Sequence, residues 1–253
     1  MNALPYLQQI SLKRDKIASF DNYPFSIPAV KYLEQLVFDP AVTFIIGENG
    51  SGKSTLLEAI AVAMGFNAEG GTKNFNFETR DTHSNLGDFL RLSKSFKHYR
   101  DGFFLRAESF YNVATNIDEM DLGPGGPPVI NSYGGKSLHE QSHGESFLSL
   151  MLNRFGGNGL YILDEPEAAL SPQRLLVMLS KINQLVRQQS QFIIATHSPM
   201  LMAYPNAKIV EVTEQGICET RLEDTEHYRL TRSFLNNPQR IFDELFEGDD
   251  DLY

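Results

Sequence analysis

The sequence has a single cysteine, Cys218, so no intramolecular disulfide can form, and a secreted, oxidised framework gives way to the expectation of a cytoplasmic one. No stretch approaches the roughly 20 apolar residues that a membrane span needs. The opening segment MNALPYLQQISLKR also lacks the apolar core of a signal peptide. The expectation is a chain without an integral membrane segment. Positive charge is in deficit: 22 Lys plus Arg stand against 32 Asp plus Glu, a formal charge of -10. Such a molecule is repelled as a whole by phosphate polymers, so nucleic acid is a possible partner only through a local basic patch. Lys94, Lys97, His98 and Arg100 are the residues to consider for one, and the simpler reading of that run is the solvated face of a helix. Internal repeats, heptad runs and long low-complexity tracts are missing too. With 42% apolar residues the chain can bury a full core as one continuous domain.

What is present alternates between strand and helix. Residues 41–46 form a short apolar run that predicts a strand, and 47–53 follow as a glycine-rich loop. Beyond it Leu56, Leu57, Ile60, Ala61 and Met64 recur at helical spacing. Further buried strands are predicted over 102–107, 160–163 and 192–195, each apolar and bounded by polar residues or glycine. A covering helix starts at Ser171 as cap and Pro172 at its first position, with Leu175, Met178, Leu179, Ile182, Leu185 and Val186 on one face. Another starts at Asn237 and Pro238 and is expected to bury Ile241, Phe242, Leu245 and Phe246, with the tail GDDDLY fraying after it. Residues 123–135, GPGGPPVINSYGG, are too rich in glycine and proline for helix or central strand and predict a mobile loop.

Four short motifs carry chemistry. Gly47, Glu48, Asn49, Gly50, Ser51, Gly52, Lys53 and Ser54 fit G-x-x-x-x-G-K-[ST], directly after a strand and opening a helix, as a phosphate-binding loop must. Glycines let backbone N–H groups turn inward around phosphates, and the helix N-terminus, continuing through Thr55, adds its positive end. Lys53 is then expected to neutralise the β- and γ-phosphates of a nucleotide, and the Ser54 hydroxyl to hold Mg²⁺. Against this stands only a glycine turn with a lysine beside it. The second motif, residues 160–166, is an apolar strand that delivers Asp164 and Glu165 at its C-terminal end, the edge where open α/β sheets bind ligands. Asp164 suits the magnesium shell, and Glu165 suits the base that orients and deprotonates water. The third, Thr196, His197, Ser198 and Pro199, follows one strand-helix unit later and brings an imidazole toward the γ-phosphate.

The fourth motif is Ser142, His143, Gly144, Glu145 and Ser146, followed by the apolar helical stretch Phe147, Leu148, Leu150, Met151 and Leu152. It resembles the Leu-Ser-Gly-Gly-Gln signature of ABC ATPases, with His143 in place of the first glycine and Glu145 in place of the glutamine. Its plainer reading is a helix capping box, Ser142 with Glu145 three residues on, and the two readings are compatible. The order phosphate loop, signature, carboxylate strand, a D-loop-like Ala168 to Ser171, then histidine is that of ABC ATPases and spans residues 47 to 199. Residues 164–172 and 196–201 are similar to soluble ATPases of the RecF, SMC and overcoming-lysogenization groups. Too few residues separate Ala107 from Ser142 for a coiled-coil arm.

That resemblance implies an α/β P-loop NTPase fold: a mostly parallel sheet flanked by helices, with N-terminal antiparallel strands and a small helical lobe. It implies one domain over 1–253, with lobe I at 1–107 plus 157–253 and lobe II at 108–156. It implies ATP hydrolysis with Mg²⁺ in a head-to-tail homodimer, where Ser142, Gly144 and Glu145 of one subunit face the γ-phosphate held by the other. Glu165 and His197 are the implied catalytic residues, and Ser54 and Asp164 the implied metal ligands. The glutamine usual before the helical lobe is replaced by the stretch Arg106 to Ser109, so Glu108 is the residue expected to stand in for it at the metal. Lys13, Arg14 and Phe25 remain open as adenine-stacking partners. Two other roles stay open: the ATP-binding subunit of an ABC transporter, and a nearly non-catalytic dimerisation switch in DNA maintenance or phage defence. Either brings a further protein partner. No Asn-Lys-x-Asp motif for guanine is present, which argues against a GTPase.

Overall fold

The computed structural model describes residues 5–72, 84–107, 110–121 and 129–246. Glu108, the proline-rich residues 123–128 and the GDDDLY tail lie outside the described residues. Six strands form the main sheet: β3 (Val42–Gly47), β5 (Asp101–Arg106), β6 (Gly159–Asp164), β7 (Gln191–Ala195), β8 (Lys208–Thr213) and β9 (Gly216–Thr220). Their order is β5-β6-β7-β3-β8-β9, parallel throughout except for the β8–β9 hairpin. A smaller antiparallel sheet, β2-β1-β4, comes from β1 (Leu7–Leu12), β2 (Gln35–Val37) and β4 (Leu90–Lys94).

The helices are α1 (Pro28–Lys31), α2 (Lys53–Met64), α3 (Phe110–Asp121), α4 (His143–Arg154), α5 (Pro172–Arg187), α6 (Pro199–Met202), α7 (Glu226–Asn236) and α8 (Pro238–Phe246). Alternation along the strands decides which helices go where, because successive side chains leave a sheet on opposite faces. Phe44, Phe103, Leu105, Tyr161, Leu163, Phe192 and Ile194 join α3, α4 and α5 in one apolar cluster. Ile45, Phe104, Leu160, Ile162, Ile193 and Ala195 join α1, α2 and the small sheet in the other. Both faces are therefore covered, which is why the central strands read as unbroken apolar runs.

The helix over 172–187 forms as its sequence predicts. Ser171 caps it, accepting from the Arg174 N–H at 3.5 Å, and Leu175, Met178, Ile182 and Leu185 are buried. Each such side chain stabilises by about 1.5–3 kcal/mol relative to exposure. Three other expectations are corrected. The helix opening at Pro238 exists, but Phe242, Leu245 and Phe246 are exposed and α8 buries none of its residues. Its apolar stripe turns away from the core and packs against α7, with Phe234 and Phe242 in ring contact at 5.5 Å. The basic run at 94–100 is the end of a strand and a turn, not a helix, with Phe96 exposed among its lysines. Within the stretch expected as a plain loop, Val129–Tyr133 forms a short 3-10 turn, with Tyr133 buried.

An ionic cluster ties α4 to the sheet. Asp101 at the start of β5 accepts from Arg154 Nη1 at 2.7 Å and from the Gly156 N–H at 3.0 Å, and the Tyr161 hydroxyl lies 2.7 Å from the same carboxylate. Burial opposes the charge on Asp101, but the Tyr161 hydroxyl, Arg154 and the Gly156 amide outweigh it and hold the carboxyl below its ordinary range.

Candidate nucleotide site

The strand order places the loops after β6, β7 and β3 side by side, so three motifs far apart in the chain meet at the C-terminal edge of the sheet. The loop after β3 turns on glycines for a physical reason. Gly52, at φ 94°, caps α2 in the left-handed region, and a Cβ there would sit 2.6 Å from the Ile27 side chain. Glu48, Asn49 and Gly50 are exposed, while Ser51 and Lys53 are buried. Lys53 curls back into the loop, its Nζ donating to the Gly47 carbonyl at 2.8 Å and the Glu48 carbonyl at 2.9 Å. Burial pushes its ammonium below the usual lysine value, against Glu165, Asp164 and Glu167, which favour the charged form.

Ser54, one residue into α2, donates its hydroxyl to Asp164 Oδ1 at 3.0 Å, across 110 residues of sequence. Asp164 is buried at the end of β6, and Arg106 Nε lies 3.6 Å from its other oxygen while Arg106 Nη1 binds Glu58 at 2.6 Å. A hydroxyl and a buried carboxylate are hard oxygen donors, the set that suits Mg²⁺. The next residue, Glu165, is held at φ 49°, ψ 51°, a left-handed conformation that a non-glycine residue adopts at a cost of about 1–3 kcal/mol. Its N–H donates to the Ala195 carbonyl of β7 at 3.0 Å, which fixes the reversal and turns the carboxylate toward His197. Glu165 Oε1 lies 3.5 Å from His197 Nε2.

Two residues at this edge carry no signal in the motifs. Glu167 accepts from the Thr196 hydroxyl at 2.7 Å and from the His197 backbone N–H at 2.6 Å, clamping the segment after β7 onto the segment after β6. His227, from the first turn of α7, places its Nε2 2.9 Å from His197 Nδ1. Burial, then the positive charge of Lys53, lower the pKa of His197, and Glu165 opposes them. Glu167 could have been found as the third carboxylate of the segment 164–167. Nothing in the sequence around His227 marks it.

The phosphate loop lies between two clefts. One, of about 280 Å³, is lined by Lys53, Ser54, Thr55, Glu165 and Tyr23. The other, of about 660 Å³, runs along Gly47 to Ser51 to His227 and the β8–β9 turn. Of the three upstream residues left open for base stacking, each is engaged elsewhere. Lys13 donates to the Asp88 carbonyl, Arg14 sits 4.3 Å over the Phe20 ring, and Phe25 packs on Phe89 at 4.9 Å. Tyr23, 65% exposed and on the smaller cleft, is the aromatic side chain free to meet a ligand there.

Ser142, Gly144 and Glu145 gather at the start of α4, away from the loop. The Ser142 hydroxyl and backbone N–H both donate to Glu145 Oε2, at 2.7 and 3.1 Å, and Glu145 Oε1 lies 3.1 Å from Arg174. The Ser142 hydroxyl and amide, ahead of Arg174, hold the Glu145 carboxyl below its ordinary range. Gly144 has a packing reason of its own: a Cβ there would lie 2.5 Å from the Ala169 carbonyl and 2.5 Å from Arg174 Nη1. The start of α4 therefore rests directly on the segment Ala168 to Ser171. Among the described residues the hydrogen bonds of Ser142 and Glu145 run within this cluster and not to the phosphate loop.

A parallel-rich sheet covered on both faces, with a glycine loop after its central strand and carboxylates at the neighbouring strand ends, is a P-loop NTPase fold. The family described as an AAA domain matches residues 17–119. Two curated relatives span most of the chain. The "Probable ATP-dependent transporter ycf16" of Cyanophora paradoxa is 25% identical over 239 residues, covering 82% of this chain and 88% of its own length. The "Putative ABC transporter ATP-binding protein" of Caldanaerobacter subterraneus is 27% identical over 233 residues, 81% of this chain and 91% of its own length. Among solved structures, cbiO1 from Clostridium perfringens, described as part of an ABC transporter complex, aligns with a TM-score of 0.48 at 15% identity, over 97% of this chain and 98% of that one. In sequence the chain is similar to ABC-type ATP-binding proteins. Among the described residues no helix is long and apolar enough to cross a membrane.

Proposed function

We propose that the chain binds ATP with Mg²⁺ and hydrolyses it in a head-to-tail dimer, as a soluble, cytoplasmic ATPase without a coiled-coil arm, of the kind grouped with RecF and SMC. The observation that carries this reading is the 3.0 Å contact between Ser54 and Asp164, with Lys53 and Glu165 adjoining them on the same strand edge. Ser54 and Asp164 would hold Mg²⁺, which would supply neutralisation of phosphate charge. Lys53 leaves the Gly47 and Glu48 carbonyls for the β- and γ-phosphates, and the backbone N–H groups from Gly47 to Ser54, with Thr55 behind them, cradle the remaining oxygens. Glu165 takes the proton of the attacking water. His197 Nε2 donates to the γ-phosphate from beside Glu165. Tyr23 stacks on the base. The second subunit contributes Ser142, Gly144 and Glu145 at the helix N-terminus of α4, where backbone N–H groups meet the γ-phosphate. Lobe I, 1–107 plus 157–253, carries the nucleotide, and lobe II, 108–156, carries the face offered to the partner. Glu108 remains assigned to the metal by position alone.

The test is turnover together with binding. Wild-type protein releases phosphate from Mg-ATP, and Lys53→Ala abolishes tight binding of a fluorescent ATP analogue while its circular dichroism stays native. Unchanged affinity in a folded Lys53→Ala protein would remove the phosphate-loop assignment. The names of the relatives favour a second reading, the ATP-binding subunit of a transporter. Stable co-purification with an integral membrane protein encoded beside it would select that reading over the soluble one.

A further inference from the structure

We propose that His227 is a positioning residue for His197, donating its Nε2–H to His197 Nδ1 and so directing the opposite ring nitrogen at the reacting phosphate. The proposal rests on the ATPase reading above and adds to it a residue outside the motifs that define it. His197 is held by two hydrogen bonds, and its buried Nε2 has a carboxylate oxygen nearby but no hydrogen-bond partner among the described residues. Its backbone N–H is bound by Glu167 at 2.6 Å, its Nδ1 meets His227 Nε2 at 2.9 Å, and its Nε2 lies 3.5 Å from Glu165 Oε1. The two imidazoles stand 5.0 Å apart between centroids at 49°, an in-plane nitrogen-to-nitrogen approach and not a stack.

Proton bookkeeping fixes the direction of the bond. A nitrogen–nitrogen contact at 2.9 Å holds one proton, so one of the facing nitrogens is an acceptor. The outer nitrogen of His197 faces a carboxylate and, in the reaction, phosphate oxygens, so it must carry a proton. A neutral His197 then has its lone pair on Nδ1, and His227 is the donor. Burial and the nearby Lys53 both disfavour the cationic ring that would reverse this arrangement.

His227 is itself anchored. Thr225, fully buried, caps α7: its hydroxyl donates to the Leu222 carbonyl at 2.8 Å and accepts from the Tyr228 N–H at 3.4 Å. That fixes the first turn of the helix two residues from the ring. His227 also lines the larger cleft beside Gly47 to Ser51, so the ring sits at the phosphate loop and not on a remote surface. Without the bond, the His197 ring is free to rotate about its own side chain, and Nε2 leaves the line to the γ-phosphate. A packing role alone would also place two rings in contact, but it would be indifferent to which atom donates.

The experiment uses the full chain with Mg-ATP and compares wild type, His227→Ala, His227→Gln and Lys53→Ala. The glutamine amide offers an N–H donor close to the position of the imidazole Nε2. His227→Ala is expected to lower kcat about tenfold or more with KM for ATP within about twofold, and His227→Gln to recover most of the loss. In nitrogen-15 spectra of the imidazole rings, His197 Nδ1 should report a hydrogen-bonded acceptor in wild type and an unbonded acceptor in His227→Ala. Unchanged kcat in His227→Ala overturns the proposal while leaving the ATPase reading intact. So does equal impairment of the alanine and glutamine variants in step with their thermal stability. If His227→Ala does not fold, the wild-type spectrum and His227→Gln decide: a protonated or unbonded His197 Nδ1 in wild type overturns it. Wild-type turnover no higher than that of Lys53→Ala overturns the ATPase reading and this role together.

Discussion

Ser142→Arg separates the two readings of the start of α4. In the capping reading the serine serves its own helix, donating its hydroxyl to Glu145 at 2.7 Å. Losing an N-cap costs about 1 kcal/mol. Ser142 is exposed, so an arginine there meets no core and adds no overpacking. Taken from a stability of at least about 5 kcal/mol, that loss leaves an unfolded fraction on the order of 0.1%. Stability therefore cannot explain even a twofold fall in activity. In the shared-site reading the arginine intrudes on the γ-phosphate held by the opposite subunit, and turnover falls by about a hundredfold or more. ATP binding by the monomer stays near normal, because the contacts of Ser142 do not reach the phosphate loop. The assay is phosphate release with ATP-driven dimerisation followed by size exclusion, and then mixing. A Ser142→Arg subunit paired with a Lys53→Ala subunit has one intact composite site and recovers activity that neither variant has alone. If heterodimers form and stay as inactive as their components, the shared site is refuted.

Glu165→Gln keeps the side chain's shape and loses the base, so hydrolysis drops by about a hundredfold or more while ATP binding persists. The variant then accumulates as a dimer on size exclusion, and wild-type turnover would place water activation elsewhere. Asp101→Ala leaves Arg154 without its carboxylate and should cost about 1–3 kcal/mol in urea unfolding, discounted for partial exposure of the pair; a change under about 0.5 kcal/mol would show that the cluster does not anchor α4. His197 has a folded-state pKa below its ordinary value, so its contribution to stability is fully present above about pH 6.5 and is lost as pH falls toward the lower folded value. A His197→Gln variant should show a flatter stability profile over that window, and an unchanged slope would argue that another group titrates.

How much of this was legible beforehand follows from what each feature depends on. The buried strands announce themselves because residues such as Phe103 to Leu105 and Ile193 to Ala195 face helices on both sides, which demands unbroken apolar runs. The phosphate loop is legible because φ values that only glycine tolerates must occur at fixed steps before Lys53. The fate of α8 was not legible, since an amphipathic stripe predicts a helix and says nothing of whether the apolar side meets this chain's own core. Tyr23 and His227 escaped for a related reason. A lone aromatic and a lone histidine acquire meaning only from neighbours that the tertiary fold supplies, such as Lys53 for Tyr23 and, 30 residues away in sequence, His197 for His227.

The order β5-β6-β7-β3-β8-β9 also bears on how the protein is made. Ser54 and Asp164 can meet only after β7 has paired with β3 and β6 with β7; α5 joins β6 to β7, whereas β4, β5 and β6 all intervene in the chain between β3 and β7. Contacts of such high sequence separation form slowly, because loop-closure entropy is spent before they repay it. During synthesis the phosphate loop leaves the ribosome more than a hundred residues before its carboxylate partner, and Ser54 has no Asp164 beside it until the later strands arrive. Nucleotide affinity therefore reports on completion of the sheet, and ligand present at a hundred times its dissociation constant stabilises the finished domain by about 2.7 kcal/mol over any partly assembled form that does not bind.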